Sequence, residues 1–396
     1  MLPGMIEPRS RWSMIAVFAL LGAVTEILWV TYAPVTDAAS RYYGVGDGAI
    51  GWLANVFPLL YVLLAIPAGV VLDRRFGGGL AAGALLVAAG ALIRITGDNY
   101  AVALAGQLVV AVAQPLVLNA ITGVAGRYLA ERDRPTGIAI GSASTFAGPI
   151  VAFGLGAVFA EDVHTLLLVQ AVLAVVAAVA VLAVLRTPAE HRVEAPPAGL
   201  GALRAAWRDP FIKRLSALVF VPFGVFVALS TFAQPLLEPA GVSESTAGLI
   251  LMANVVAGVA GCAVVPIWAN RRGREMVVLT ASLLVTAVSC VVLAVTPGVV
   301  TGFVALALIG LALLPTLPIV LELTERRAGS SESTAAGLIW LAGNLGGLVV
   351  AAVVGVLVGD PTPAFLLLAV LTLLTLPLLR LFSRVSTSSP ALPPTP

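Results

Sequence analysis

Charge is what this chain is poorest in. Of 396 residues only 22 are Lys or Arg and 20 are Asp or Glu, 11% in all, where a soluble domain carries about 25%. The apolar share is 60% and the mean hydropathy +1.05. That deficit excludes a soluble enzyme, a disordered chain and a nucleic-acid binder. Cysteine is nearly absent too. Cys262 and Cys290 both lie inside apolar runs, which excludes a disulfide framework and a Cys-ligated metal site. The two histidines, His164 and His191, are assigned no role, and there is no P-loop, no G-x-S-x-G and no metal-ligand cluster. No metal, cofactor or catalytic chemistry is expected. A net charge of +2 calls for no acidic partner. What remains is a polytopic membrane protein.

A spanning helix needs about 20 mostly apolar residues. Broken at turn residues and charges, the chain gives twelve such runs: 12–34, 49–72, 79–96, 100–126, 136–159, 164–185, 213–237, 245–269, 276–296, 298–322, 333–358 and 363–383. None alternates like a barrel strand, so the fold is expected to be all-α. The first run is too long for a signal-peptide core and ends in Trp29, Tyr32 and Pro34, no small-residue cleavage site. Of the 22 basic residues, 20 fall on one side, from Arg9 and Arg11 to Arg380 and Arg384. The other side holds Arg41, with Asp37, Asp47, Asp98, Glu161, Asp162, Glu238, Glu244 and Asp360. Arg94, near the outer end of the third run, is expected to snorkel to the surface. Basic residues collect in the cytoplasm, so both termini are expected there, in a plasma membrane.

The longest polar connection, 187–210, divides six runs from six. The expected organisation is a first half 1–186, a cytoplasmic linker 187–210, a second half 211–384 and a disordered tail 385–396. The halves echo each other. Gly44, Val45, Asp47 and Gly51 recur 197 positions later as Gly241, Val242, Glu244 and Gly248, and Asp73, Arg74 and Arg75 recur as Asn270, Arg271 and Arg272. Within the second half, Ser243-Glu-Ser-Thr-Ala-Gly-Leu-Ile returns around Ser331, one copy opening a run from outside and the other from inside. Parallel six-helix halves built of inverted triplets are the architecture of major facilitator transporters. Gly69-Val-Val-Leu-Asp73-Arg74-Arg75-Phe76-Gly77-Gly78 resembles the loop signature of that superfamily. The resemblance implies a cytoplasmic gate of Asp73, Arg74, Arg75, Asn270, Arg271 and Arg272, with Glu322 near the same face.

Polar residues inside a membrane are costly and mark pathways. Glu26 is mid-span with no basic residue within a turn, and Trp29 shares its face. Gln107, Gln114 and Asn119 lie on the fourth run. Phe226, Ser230 and Gln234 lie at helical spacing on the seventh, and Trp340 and Asn344 on the eleventh. Together these ten residues are the expected substrate contacts. Proton-coupled drug antiporters usually carry an arginine where Gln107 falls, and Gly148-Pro149 matches their fifth-span motif only in part, which argues against proton antiport.

The ordered series Arg11-Trp12, Trp29-Val-Thr-Tyr32-Ala-Pro, Tyr42-Tyr43-Gly44-Val45, Gly90-Ala-Leu-Ile-Arg94, Gly106-Gln107, Ala113-Gln114, Ser230-Thr231, Gln234 and Glu322-Leu323-Thr324 resembles the feline leukaemia virus subgroup C receptor-related branch of the major facilitators. The resemblance implies transport of choline, ethanolamine or haem. It also implies an aromatic cage for an ammonium group, to which Trp29 and Gln114 correspond. The cage tyrosine falls at Val227, beside Phe226, the eleventh-span glutamine falls at Asn344, and Glu26 adds an acid. The expected function is a secondary carrier of a small polar or cationic metabolite, working by rocker-switch alternating access as a monomer. Its partners would be that small molecule and the lipid bilayer. A multidrug or metabolite exporter and a non-transporting receptor are the alternatives.

If the Asp73 loop is a conformational latch, Asp73→Asn slows transport with little loss of affinity. Uptake rates measured beside equilibrium binding check this, and an equal loss of binding would place Asp73 in the substrate pathway.

Overall fold

The computed structural model describes residues 10–187, 207–320, 323 and 332–386. Among them twelve helices are long and apolar enough to cross a membrane, and there is no strand. They are α1 Trp12–Tyr43, α2 Asp47–Arg74, α3 Phe76–Ile93, α4 Tyr100–Leu118, α5 Thr136–Val158, α6 Val163–Leu185, α7 Pro210–Ala240, α8 Glu244–Arg272, α9 Glu275–Val295, α10 Val299–Val320, α11 Gly337–Val356 and α12 Pro361–Leu379. A helix satisfies its own backbone groups where no water can, so apolar runs of this length take that form. Polar residues just ahead of the runs cap them. Asn99 Oδ1 accepts from the Val102 N–H at 3.0 Å, Asp162 Oδ1 from Thr165 N–H at 3.0 Å, and Ser243 Oγ from Thr246 N–H at 3.3 Å, each meeting a donor the helix leaves unpaired.

The two halves are built alike. In the first, α1 packs on α5 and α6, α2 on α4, and α3 on α4 and α6. In the second, α7 packs on α11 and α12, α8 on α10, and α9 on α10 and α12. The repeat reaches the backbone. Gly44 (φ 65°) and Gly241 (φ 78°) both turn in the left-handed region, where a side chain would be strained. Between the halves, α2 packs on α11 and α5 on α8, again a pair related by the repeat.

Four expectations change. The first run does not stop at Pro34: its helix ends at Trp29, a 3-10 turn covers Ala33–Val35, and Thr36–Tyr43 is helical again. Proline cannot donate the next helical hydrogen bond, so the chain breaks ahead of it. The fourth run divides after Leu118, and a short helix, Ile121–Tyr128, follows. Arg94 does not snorkel. It is 1% exposed, because acceptors on α1, α4 and α6 meet it inside the half. The last helix runs on to Ser386. Residues 188–206 of the linker (His191 included), Glu322 and residues 387–396 of the tail lie outside the described residues.

Close packing on α1 depends on Gly148. A Cβ there would stand 2.4 Å from the Ala23 carbonyl oxygen and 2.6 Å from Glu26 Cβ, so α5 reaches the backbone of α1 only without a side chain. Gly148→Ala is expected to destabilise the protein by about 1–3 kcal/mol, the usual range for an overpacked core. The measurement is thermal unfolding in detergent, and an unchanged midpoint would show that α1 and α5 separate at no cost.

Candidate functional site

The strongest links between the halves lie at one end of the bundle. Gln234 on α7 donates from Nε2 to Asp37 Oδ2 on α1 at 2.6 Å, and the Asp37 N–H donates back to Gln234 Oε1 at 3.2 Å. Both residues are buried, at 0% and 8% exposure. They are 197 positions apart, so each is the other's counterpart in the repeat. A residue that bonds to its own counterpart lies at the axis relating the halves. Arg41 Nη2 pairs with Glu244 Oε1 at 2.9 Å, and Ser245 Oγ donates to the Ala157 carbonyl at 2.9 Å. Arg41 is largely exposed, so that ion pair adds only about 0.2–1 kcal/mol. Asp47 and Glu238 stand close enough to repel Asp37.

The axis assigns the residues below it. Stepping from Asp37 toward the middle of α1 leads through Ala33 to Trp29, and the counterparts on α7 are Ser230 and Phe226. Residues four apart on a helix share a face. On α7, helical from Pro210 to Leu237, Phe226, Ser230 and Gln234 therefore share a face, whereas Trp29 stands ahead of the break in α1. Glu26 precedes Trp29 by three residues, is 4% exposed, and accepts from Gln114 Nε2 at 3.0 Å. Two polar atoms here have no partner: Trp29 Nε1 and Ser230 Oγ are buried without a hydrogen bond. On α7, Phe223 meets Phe226 and Trp340 edge to face, with centroids 6.4 and 6.0 Å apart. Asn344 Nδ2 donates to the Trp340 carbonyl at 2.9 Å. Val227 is turned against Gly347 of α11, away from this group.

The structure bonds Glu26 to Gln114 and sets Phe226 and Ser230 one turn apart on α7. It places Gln234 in the bonded end. It takes Gln107 elsewhere, for the amide is spent on Arg94, the Leu28 carbonyl at 3.2 Å and the Leu53 carbonyl at 3.0 Å. Asn119 accepts from the Tyr61 hydroxyl at 2.9 Å and donates to the Ala65 carbonyl at 3.0 Å, tying α4 to α2 as polar glue. At the arginine-rich end Asp73, Arg74, Arg75, Asn270, Arg271 and Arg272 are all exposed. Asp73 acts electrostatically on Arg127 of its own half, and Arg272 stands 5.2 Å above the Trp268 ring. Sequence reasoning missed Asp37, Arg41 and Glu244 as links between the halves. The signal was present in the offset, because Asp37 and Gln234 are repeat-mates of complementary chemistry.

A family model described as Major Facilitator Superfamily matches residues 14–351. Among curated proteins, solute carrier family 49 member A3 of Danio rerio is 28% identical over 366 residues, covering 85% of this chain and 76% of that one. Choline/ethanolamine transporter flvcr2b of Danio rerio is 24% identical over 375 residues, covering 86% and 76%. Among solved structures, a bacterial homologue of the human lysosomal transporter Spinster superposes with a TM-score of 0.79 at 15% identity, covering 96% of this chain and 98% of that one. At that identity the likeness is one of fold.

Gln234→Ala removes both side-chain bonds to Asp37 and leaves a buried carboxylate without its donor. The closed end should loosen. In nanodiscs, a cysteine introduced as Ser230→Cys, with Cys262 and Cys290 replaced by Ser, should react with a water-soluble maleimide at least several-fold faster in the Gln234→Ala background. Equal rates would mean that the Asp37–Gln234 bonds do not hold this end shut.

Proposed function

The chain belongs to the major facilitator superfamily and is a membrane transporter; from that premise we propose that its cargo is a small metabolite bearing a positively charged amine, with choline- and ethanolamine-like molecules the favoured class. One observation carries the reading. Trp29 and Phe226 occupy equivalent positions of the two halves, each eight residues ahead of the bonded Asp37 and Gln234, and Glu26, which accepts from Gln114, precedes Trp29 by three residues. An aromatic face attracts a cation through its quadrupole, and indole does so best. Glu26, held by Gln114, supplies negative charge beside it. The choline/ethanolamine transporters among the relatives support the same class. With Val227 packed against α11, Phe226 takes the aromatic place on α7, a cage wall without a hydroxyl.

The halves would rock about this site. One swing parts Asp37 from Gln234, and the other brings the Asp73 and Asn270 loops together. Exposure of the gate residues on the described loops and bonding at the far end fit the state open toward the arginine-rich end. By the distribution of basic residues that end and both termini face the cytoplasm, in a plasma membrane. All the site residues come from one chain, so a monomer suffices.

A desolvated cation over indole is worth about 2 kcal/mol, so losing it weakens binding roughly 30-fold. Trp29→Ala should lose that factor for choline and ethanolamine, and Trp29→Phe should keep part of it. Binding of choline, ethanolamine, betaine and the neutral isostere 3,3-dimethylbutanol to purified wild type and both variants is the measurement. A neutral isostere that binds as well as the amines, or a Trp29→Ala protein that binds normally, removes the cation reading in favour of a broader exporter.

A further inference from the structure

A second polar group lies within the first half, apart from the Glu26 site. Arg94 ends α3, and its side chain is buried among α1, α4 and α6. Its Nη1 donates to Thr31 Oγ1 at 3.0 Å and to Gln107 Oε1 at 3.2 Å, and its Nη2 donates to Gln170 Oε1 at 3.2 Å. Tyr32 and Tyr43, whose hydroxyls are 3.1 Å apart, complete the surroundings. Every one of these partners is neutral. A charge taken into a membrane interior is costly unless an opposite charge goes with it, and no carboxylate among the described residues meets this one.

The group also has donors to spare. Arg94 Nε and Gln170 Nε2 are buried and have no acceptor. Gln170 is 0% exposed, and its oxygen already accepts from Arg94 and, at 2.7 Å, from Thr31 Oγ1. Turning the amide over would set its N–H groups against the guanidinium, so Nε2 cannot be satisfied that way. The arginine is built in by close packing. A Cβ on Gly106 would fall 2.4 Å from Arg94 Cγ and 2.6 Å from the Gly90 carbonyl, so glycine here gives the stem its room. The sequence elements Gly90-to-Arg94 and Gly106-Gln107, which the carrier site does not use, thus serve this group.

We propose that Arg94 and Gln170 bind a small monovalent anion of chloride size. Surplus N–H donors, a net positive charge and full burial are the chemistry that takes such an ion. A buried guanidinium and a carboxamide bind it through N–H groups alone. Thr31 and Tyr32 belong to the break in α1, two and three residues beyond Trp29. The anion therefore steadies the segment on which the two parts of α1 turn.

The full-length protein, purified without chloride, is unfolded thermally in sodium chloride, bromide or gluconate at one ionic strength. Binding to the folded state alone stabilises it in proportion to concentration over affinity. The midpoint should rise by about 2 °C or more with chloride and bromide, saturating as one site, and not with gluconate. Gln170→Glu supplies a carboxylate beside Arg94 and should abolish the halide dependence. Gln170→Met, which keeps the volume and removes the donors, should weaken it at least tenfold. A wild type indifferent to halide overturns the proposal, since the spare donors would then be met by water. Wild-type halide dependence in Gln170→Met, or in a folded Gln170→Glu, overturns it as well by placing the ion elsewhere.

Discussion

The reciprocal bonds between Asp37 and Gln234 are the contact on which the rest of the arrangement depends. They join a residue to its own counterpart in the repeat, so they lie where the two halves are related. Everything below inherits that symmetry. Trp29 and Phe226 stand at equivalent positions, each eight residues ahead of the bonded pair, and the pairing of α2 with α11 and α5 with α8 follows the same relation. The contact is strong in geometry, and Asp47 and Glu238 stand near Asp37.

Inside the bilayer every polar group must find its partner in the protein. The first half keeps its polar residues in two separate accounts. Glu26 and Gln114 bond each other, and Trp29 Nε1, three residues beyond Glu26, is buried without a partner. Gln107, seven residues before Gln114 on the same helix, belongs to the Arg94 group and is fully engaged. Helical periodicity places both glutamines on one face, and that is true. Two turns along α4, however, the neighbour changes from the Glu26 segment of α1 to the arginine of α3. The same residue type therefore does different work at each level.

The relatives and the fold agree on what kind of protein this is. Where the resemblance calls for a seventh-span tyrosine, this chain has Val227 packed against Gly347, with Phe226 beside it. Where it calls for a glutamine on the eleventh span, Asn344 spends its amide on its own helix. Glu26 adds an acid.

The sequence by itself determined the twelve spans and the two halves. Apolar length, helical spacing and a fixed repeat offset are properties of the chain read in one dimension, and a membrane permits few other outcomes. It also contained the offset pairing Asp37 with Gln234, though only their contact in space gives that number meaning. Tertiary structure alone decided that Arg94 turns inward. A lone arginine at the end of an apolar run reads as a surface anchor until Thr31, Gln107 and Gln170, scattered over 139 residues, are seen to converge on it. Long-range acceptors offset the burial of the charge, and nothing in local composition records which helices will supply them.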